Sequence, residues 1–291
     1  MTEWLPAGQD FLRSSKILHR EEPAMKKPAE KTAIVTGGSS GIGRCTAMAL
    51  RDAGCRVYEF SRRDNPIPGV RHMGVDVTNE EQIRAAVAEI RKEAGGINIL
   101  INCAGFGISG AVEFTPAQQA RRQFDVNFFG VVNVSRAVIP AMREQASGRI
   151  VNVSSVAAVA HIPFQAFYSA SKAAVSSYSC ALDNELRPYG IRVTAVQLGD
   201  IRTGFTQARQ KSAEGDEAYG GRISRSVSRM ERDEETGMSP EFAARFLARV
   251  ALKPRSAPIR TAGLMYQFLN LLCKLLPAGL RNGIVYALYA K

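Results

Sequence analysis

Histidine is scarce in this 291-residue chain, and its cysteines fall in no recognisable set. His19, His72 and His161 are scattered, and Cys45, Cys55, Cys103, Cys180 and Cys273 lack paired metal-ligand spacing. No metal site is therefore expected. An odd number of unpaired thiols suits a reducing compartment, so the expected location is cytoplasmic. The N-terminus has no apolar signal-peptide core and no small-residue cleavage site. The most apolar stretch, Leu264 to Leu276, is interrupted by Lys274 and ends at Pro277. It falls short of the roughly 20 apolar residues that a membrane-spanning helix needs. Acidic residues are outnumbered, giving a net charge of +11 and a pI of about 9.7. That balance admits nucleic acid, an anionic membrane, an acidic substrate or only a basic solvated surface. No nucleic-acid motif appears and aromatics do not interleave the basic residues, so a nucleic-acid partner is not expected.

What is present alternates. The short apolar runs Ala33–Val35, Arg56–Phe60, Asn98–Ile101, Arg149–Val153 and Arg192–Gln197 are strand-like, and segments of helical period and length separate them. Alternation of this kind implies βαβ units, right-handed crossovers and a mainly parallel sheet covered on both faces. Ligands then bind beyond the carboxyl ends of the strands. The first run leads into Thr36-Gly37-Gly38-Ser39-Ser40-Gly41-Ile42-Gly43 and then a helical segment. Strand, glycine loop and helix in that order suit a pyrophosphate: glycine permits close backbone approach, and the helix aims free N–H groups at the anion.

Tyr168 and Lys172 stand four apart, on one face of a helix, downstream of Ser154-Ser155. An ammonium beside a phenol favours the phenolate, so the Tyr168 pKa is expected to fall from about 10 toward neutrality. Such a group could give or take a proton at physiological pH. Four-residue spacing alone also describes a solvated helix face.

Thr36-Gly-x-x-x-Gly41-x-Gly43 together with Ser155, Tyr168 and Lys172 resembles the short-chain dehydrogenase/reductase family, in its compact single-domain branch. The resemblance runs from roughly Lys31 to Leu252. Asp76-Val77-Thr78, after a strand-like stretch, resembles the family's adenine contact. Asn102-Cys103-Ala104-Gly105 resembles its Asn-Asn-Ala-Gly turn, with Cys103 in place of the second asparagine. The resemblance implies an α/β fold, a Rossmann-like doubly wound parallel sheet with helices on both faces, in a single domain. It implies a dinucleotide held by Gly37, Ser39, Ser40, Gly41, Ile42 and Gly43, by Ser61, Arg62, Asp76 and Val77, and by Asn102, Ala104 and Gly105. Tyr168, Lys172, Ile201 and Thr203 complete that set, Thr203 bonding the nicotinamide carboxamide. The family mechanism makes Tyr168 the general acid or base and Lys172 its pKa-lowering neighbour, which also holds the nicotinamide ribose. Ser155, thirteen positions before the tyrosine, polarises the substrate oxygen in preference to Ser154. Asn127 bends its helix and holds a water linking Lys172 to solvent. One departure is Gln197-Leu198-Gly199-Asp200, where the family usually has Pro-Gly.

Ser61 and Arg62 end the second strand where an NAD-preferring relative has an acid. A guanidinium there suits a 2′-phosphate, with Arg44 adding positive potential, so the expected cofactor is NADP(H). Residues 1–30 read as an N-terminal extension, with disorder as one reading and a translation start at Met25 as another. Residues 31–252 read as the dehydrogenase domain with a substrate lid at about 204–237, and 253–291 as an apolar helical extension. In the lid, Arg222, Arg225, Arg229 and Arg232 form a basic stripe opposed by Ile223, Val227 and Met230, either a docking surface or a solvated face. The C-terminal stripe through Leu264, Phe268, Leu271 and Leu275 admits packing on its own core, a pocket cover, a subunit contact or a peripheral membrane contact. His161 either edges the substrate pocket or faces solvent. The expected function is NADP(H)-dependent interconversion of a lipophilic secondary alcohol and ketone, hydroxysteroid-like. A 3-oxoacyl-(acyl-carrier-protein) reductase and a non-catalytic NADP(H)-sensing module are the alternatives. A homo-oligomer, dimer or tetramer, is implied by the resemblance alone.

Overall fold

The computed structural model describes Met1 and residues 30–291, so the expected N-terminal extension lies almost wholly outside the described residues. Seven parallel strands form the central sheet: β1 (Thr32–Thr36), β2 (Arg56–Ser61), β3 (Val70–Gly74), β4 (Ile99–Asn102), β6 (Gly148–Ser155), β7 (Ile191–Leu198) and β9 (Ile259–Thr261). Their order is β3-β2-β1-β4-β6-β7-β9. A two-stranded parallel pair, β5 (Ile108–Ser109) with β8 (Gln210–Lys211), sits apart from it. The five expected strand-like runs fall on β1, β2, β4, β6 and β7. The sheet is Rossmann-like and doubly wound: from β1 the chain works outward to β3, then crosses back and builds from β4 to β7. The crevice between β1 and β4 is thus the switch point where ligands bind in such sheets.

Alternation along each strand feeds two cores. Ala33, Val35, Ile99 and Ile101 pack on α1 (Gly41–Asp52) and α8 (Pro240–Leu252). Ile34 and Leu100, one residue out of phase, pack on α2 (Glu80–Ala94), α4 (Gly130–Glu144) and α5 (Ala166–Leu186). Strands buried on both faces read as continuous apolar runs, which is why they stand out in the sequence. β9 does not stand out. It is three residues long and carries the exposed Arg260, yet it closes the sheet edge from beyond residue 252, so the C-terminal segment contributes to the core sheet as well as to helices.

The long helix α5 lies close to the sheet because its inner face is small. Ser169, Ser171, Ser176 and Ser179 are buried there with Lys172 and Val175. Its C-terminal end is locked by Asp183, whose carboxylate accepts from Arg192 Nε at 2.9 Å and from the Val193 backbone N–H at 2.8 Å. Burial alone would raise this carboxyl's pKa, but Arg192, Val193 N–H and Arg187 hold it below the ordinary value. Such a group stabilises the fold above its unfolded pKa, and that contribution disappears as pH falls through the folded one. Asp183→Ala should therefore cost about 2 kcal/mol in urea unfolding at pH 7, since it leaves the buried Val193 N–H and the half-buried Arg192 without their acceptor. Approach of the wild-type and variant curves in acid is the accompanying expectation; a pH-independent difference would contradict it.

Candidate active site

The carboxyl ends of β1 and β4 are tied together. Thr36 Oγ1 accepts from the backbone N–H groups of Cys103 and Ala104, each at 3.1 Å. The glycine loop follows, with Gly37 at φ +71° and Gly41 at φ +52°, backbone regions that disfavour side chains. A Cβ on Gly43 would collide with the Gly37 carbonyl, so the first turn of α1 can pack directly on the loop only as glycine. A Cβ on Gly41 would lie 3.6 Å from that of Thr203, so Thr203 stands across the cradle. Ser39 is buried and Ser40 exposed.

At one end of the cradle, Arg62 is well exposed and reaches Asp76 Oδ2 at 4.0 Å. Burial would raise the Asp76 pKa, but the N–H and hydroxyl of Thr78, at 2.9 and 2.7 Å, together with Arg62 hold it low. A hollow of about 400 Å³ opens here, lined by Arg62, Asp76, Thr78, Arg122 and Asn133. The Arg44 guanidinium donates to the carbonyls of Asn65 and Pro66 at 2.9 and 3.0 Å. It fastens the loop after β2 against α1. Ser61 is buried, its hydroxyl donating to the Arg63 carbonyl at 2.9 Å.

At the other end, Asn127 lies on a π-helical turn, Asp125–Phe129, between α3 (Ala117–Phe124) and α4. It is fully buried, accepting from Phe106 N–H at 3.0 Å and donating to the Phe106 carbonyl at 2.9 Å. A Cβ on Gly105 would sit 3.1 Å from Asn127 Oδ1 and 3.7 Å from Lys172 Nζ, so all three residues meet. Lys172 Nζ donates to the Val153 carbonyl at 2.9 Å. Ser154 turns inward, bonded to the Lys172 carbonyl at 2.9 Å and the Ser176 hydroxyl at 2.8 Å. Ser155, half-buried, accepts from Ala157 N–H at 3.1 Å and neighbours Tyr168. The Phe205 ring lies 5.8 Å from that of Tyr168.

Tyr168 acidity differs from the sequence expectation. Burial pushes its phenol up to about 12, with the Ser155 hydroxyl pulling the other way. The residue is half-buried overall, so solvent at its open edge tempers that push. Burial also pulls the Lys172 ammonium down to about 8. The ammonium lies 5.8 Å from the centre of the phenol ring and is committed to Val153. Both groups share a desolvated corner that penalises both charged forms, so the four-residue spacing alone does not make an acidic phenol.

Other expected cofactor residues turn their side chains inward, which leaves their backbone groups to make any contact. The Asn102 side chain faces inward, donating to Asn152 Oδ1 at 2.8 Å and Ser135 Oγ at 3.3 Å. Val77 and Ile201 bury their side chains in the two cores, and Ile42 packs partly against one of them. His161 is exposed. Residues that sequence reasoning missed are Glu59, Arg209 and Tyr266. Glu59 is buried beneath Gly38, bonded to His72, with Oε2 unpartnered. Its two-residue offset from Ser61 was the available signal. Arg209 is buried against Glu234, its guanidinium 5.6 Å from the Phe205 ring. Tyr266 donates to Asp200 Oδ2 at 2.8 Å and fills the space over Gly199, where the proline is lost.

A sequence model of the short chain dehydrogenase family matches residues 31–214. The chain belongs to that family, and it is an oxidoreductase. It is 42% identical over 231 residues to 3-ketodihydrosphingosine reductase of Bacteroides thetaiotaomicron, covering 78% of this chain and 86% of that protein. Among solved structures, a short-chain dehydrogenase from Streptomyces avermitilis is 28% identical with a TM-score of 0.77, covering 89% and 96% of the two chains. ElxO with NADP bound shares the fold, at 21% identity and a TM-score of 0.69, over 82% and 99% of the chains.

A lysine held near 8 binds its proton more weakly in the native state than in the unfolded one, where its value is 10.5. Stability therefore rises with pH across that window. Compared with Lys172→Met in urea unfolding, the wild type should gain relative stability between pH 7 and pH 10. An unchanged difference would show that the ammonium is not desolvated.

Proposed function

We propose that this oxidoreductase uses NADP(H) to interconvert a lipophilic ketone and secondary alcohol, with a long-chain amino ketone of the 3-ketodihydrosphingosine kind as substrate. The observation that carries the reading is Tyr168 beside Ser155 and Lys172, at the end of a glycine cradle too tight for any Cβ at Gly43. The cradle fits a dinucleotide: Gly37, Ser39, Ser40, Gly41 and Gly43 would line the pyrophosphate, with Thr203 opposite. Arg62 would meet a 2′-phosphate, since β2 ends without an exposed acid and Glu59 is sealed beneath Gly38. Asp76 would accept from the adenine side.

The dinucleotide supplies the hydride. The chain supplies the proton and the geometry. Tyr168, protonated at neutral pH, donates to the carbonyl oxygen as it gains electron density. The Ser155 hydroxyl bonds the same oxygen. Lys172 would hold the ribose, and Asn127, anchored to the Phe106 backbone, meets Gly105 beside it. In the oxidative direction Tyr168 would take the proton back, with Lys172 beside it.

Similarity to the Bacteroides thetaiotaomicron reductase favours an amino ketone over a steroid or a carrier-linked acyl group. The Arg222–Arg232 stripe has the character of a solvated face: Arg229 pairs with Asp233, and Ile223, Val227 and Met230 are buried behind it. The free thiols suit the cytoplasm.

Consumption of NADPH with 3-ketodihydrosphingosine, followed at the nicotinamide absorbance, tests the reading. Tyr168→Phe should lose about 10²–10⁴-fold in kcat with NADPH affinity retained; full turnover in that variant would overturn the role. Arg62→Ala should raise the KM for NADPH about tenfold or more and leave that for NADH nearly unchanged. Equal effects on both coenzymes would remove the 2′-phosphate assignment.

A further inference from the structure

The C-terminal hairpin is inverted relative to an ordinary surface helix, which buries its apolar side. In α9 (Leu264–Leu275) the buried residues are Tyr266 and Asn270. Asn270 donates to Gln197 Oε1 at 2.6 Å and to Thr261 Oγ1 at 2.8 Å. The helix is thus fastened by polar groups, while Leu264, Met265, Phe268, Leu271, Leu272 and Leu275 stand in solvent, Leu264 at 85% and Leu275 at 73% exposure. At 3.6 residues per turn these fall within one arc of about 120°. The next helix, α10 (Ala278–Tyr289), adds exposed Leu280, Ile284 and Leu288. Among the described residues nothing covers this face, so the stripe does not pack on the core that they form.

From Phe242 to Lys291 the chain carries eight lysines and arginines and no aspartate or glutamate. Lys274 and Arg281 lie on the hairpin itself, and Lys291 follows it. An apolar arc on a segment whose own charges are all positive is complementary to an anionic lipid surface. It is a poor match for a second copy of itself, which would bring like charges together. Each helix has 12 residues, about 18 Å, against a hydrocarbon core of about 30 Å. No described helix is long and apolar enough to cross a membrane.

We infer that the α9–α10 hairpin seats this enzyme in the plane of an anionic bilayer, with its apolar arc among the acyl chains. The seat is wired to the reaction site at two points. Tyr266 holds Asp200 on the loop that leads to Thr203. Tyr289 donates to Asp233 of the lid helix α7 (Arg222–Glu235) at 2.9 Å and packs in the small core with Ile223, Val227 and Met230. A lipophilic substrate would pass from the bilayer under the lid without crossing water. The seating goes beyond the reading of the reaction and does not depend on it.

Flotation of the full chain with vesicles tests this. The wild type should bind phosphatidylcholine vesicles containing phosphatidylglycerol about tenfold more tightly than phosphatidylcholine alone, and salt should weaken that preference. Phe268→Asp/Leu271→Asp/Leu275→Asp should abolish flotation while keeping the wild-type circular dichroism and turnover of a short water-soluble ketone. Lys274→Glu/Lys291→Glu should lose the preference for anionic vesicles. Tyr168→Phe should float like the wild type, so failure of the catalytic reading leaves this test intact. Absence of flotation by the wild type would overturn the proposal. So would a concentration-dependent dimer, split by the three aspartates, with no vesicle binding, which would assign the face to a second copy.

Discussion

A primary amine buried against a backbone carbonyl organises this site. Among the described residues Lys172 Nζ has one hydrogen-bond partner, the Val153 oxygen, and it lies in a buried corner. That corner exists because α5 presents serines to the sheet, allowing the helix to approach β6 closely. Ser154 bonds back to the Lys172 carbonyl and fixes the helix at that height. Asn127 and Gly105 close the far side. The same desolvation that weakens the ammonium keeps the Tyr168 phenol protonated. A protonated phenol next to a lysine with spare donors is arranged for giving a proton to a carbonyl, and it awaits a positive charge before it can take one back.

Pattern was legible in the sequence; orientation was not. Strands buried on both faces declare themselves as apolar runs, and a glycine loop between strand and helix declares an anion site, so the doubly wound sheet and the cradle could be read directly. Asn102 is the counterexample. Its position in the motif is as expected, yet its amide joins Asn152 and Ser135 inside the sheet. Arg44 lies beside the loop, yet it clamps Asn65 and Pro66. The acidity of Tyr168 was misjudged for a related reason. Spacing along a helix reports neighbours, whereas a pKa depends on what solvates both groups.

The C-terminal helices show the same limit. Their apolar stripe was evident, but an apolar stripe does not say which way it faces. The decisive residues are the two polar ones, Tyr266 and Asn270, whose bonds to Asp200, Gln197 and Thr261 turn the helix inside out. Tyr266 also occupies the space over Gly199, so the loop that lost the family proline is stiffened by a ring from the hairpin. Core, reaction site and exposed apolar face are thereby one connected structure.

The central claim is that the Lys172 corner keeps Tyr168 protonated until coenzyme charge arrives. Ultraviolet pH titration of the wild type minus Tyr168→Phe measures that phenol alone. In the free protein the difference signal should show no ionisation below about pH 10, the ordinary tyrosine value, and saturating NADP+ should move it downward. Ionisation near neutral pH without coenzyme, or a midpoint that NADP+ leaves in place, would contradict the account.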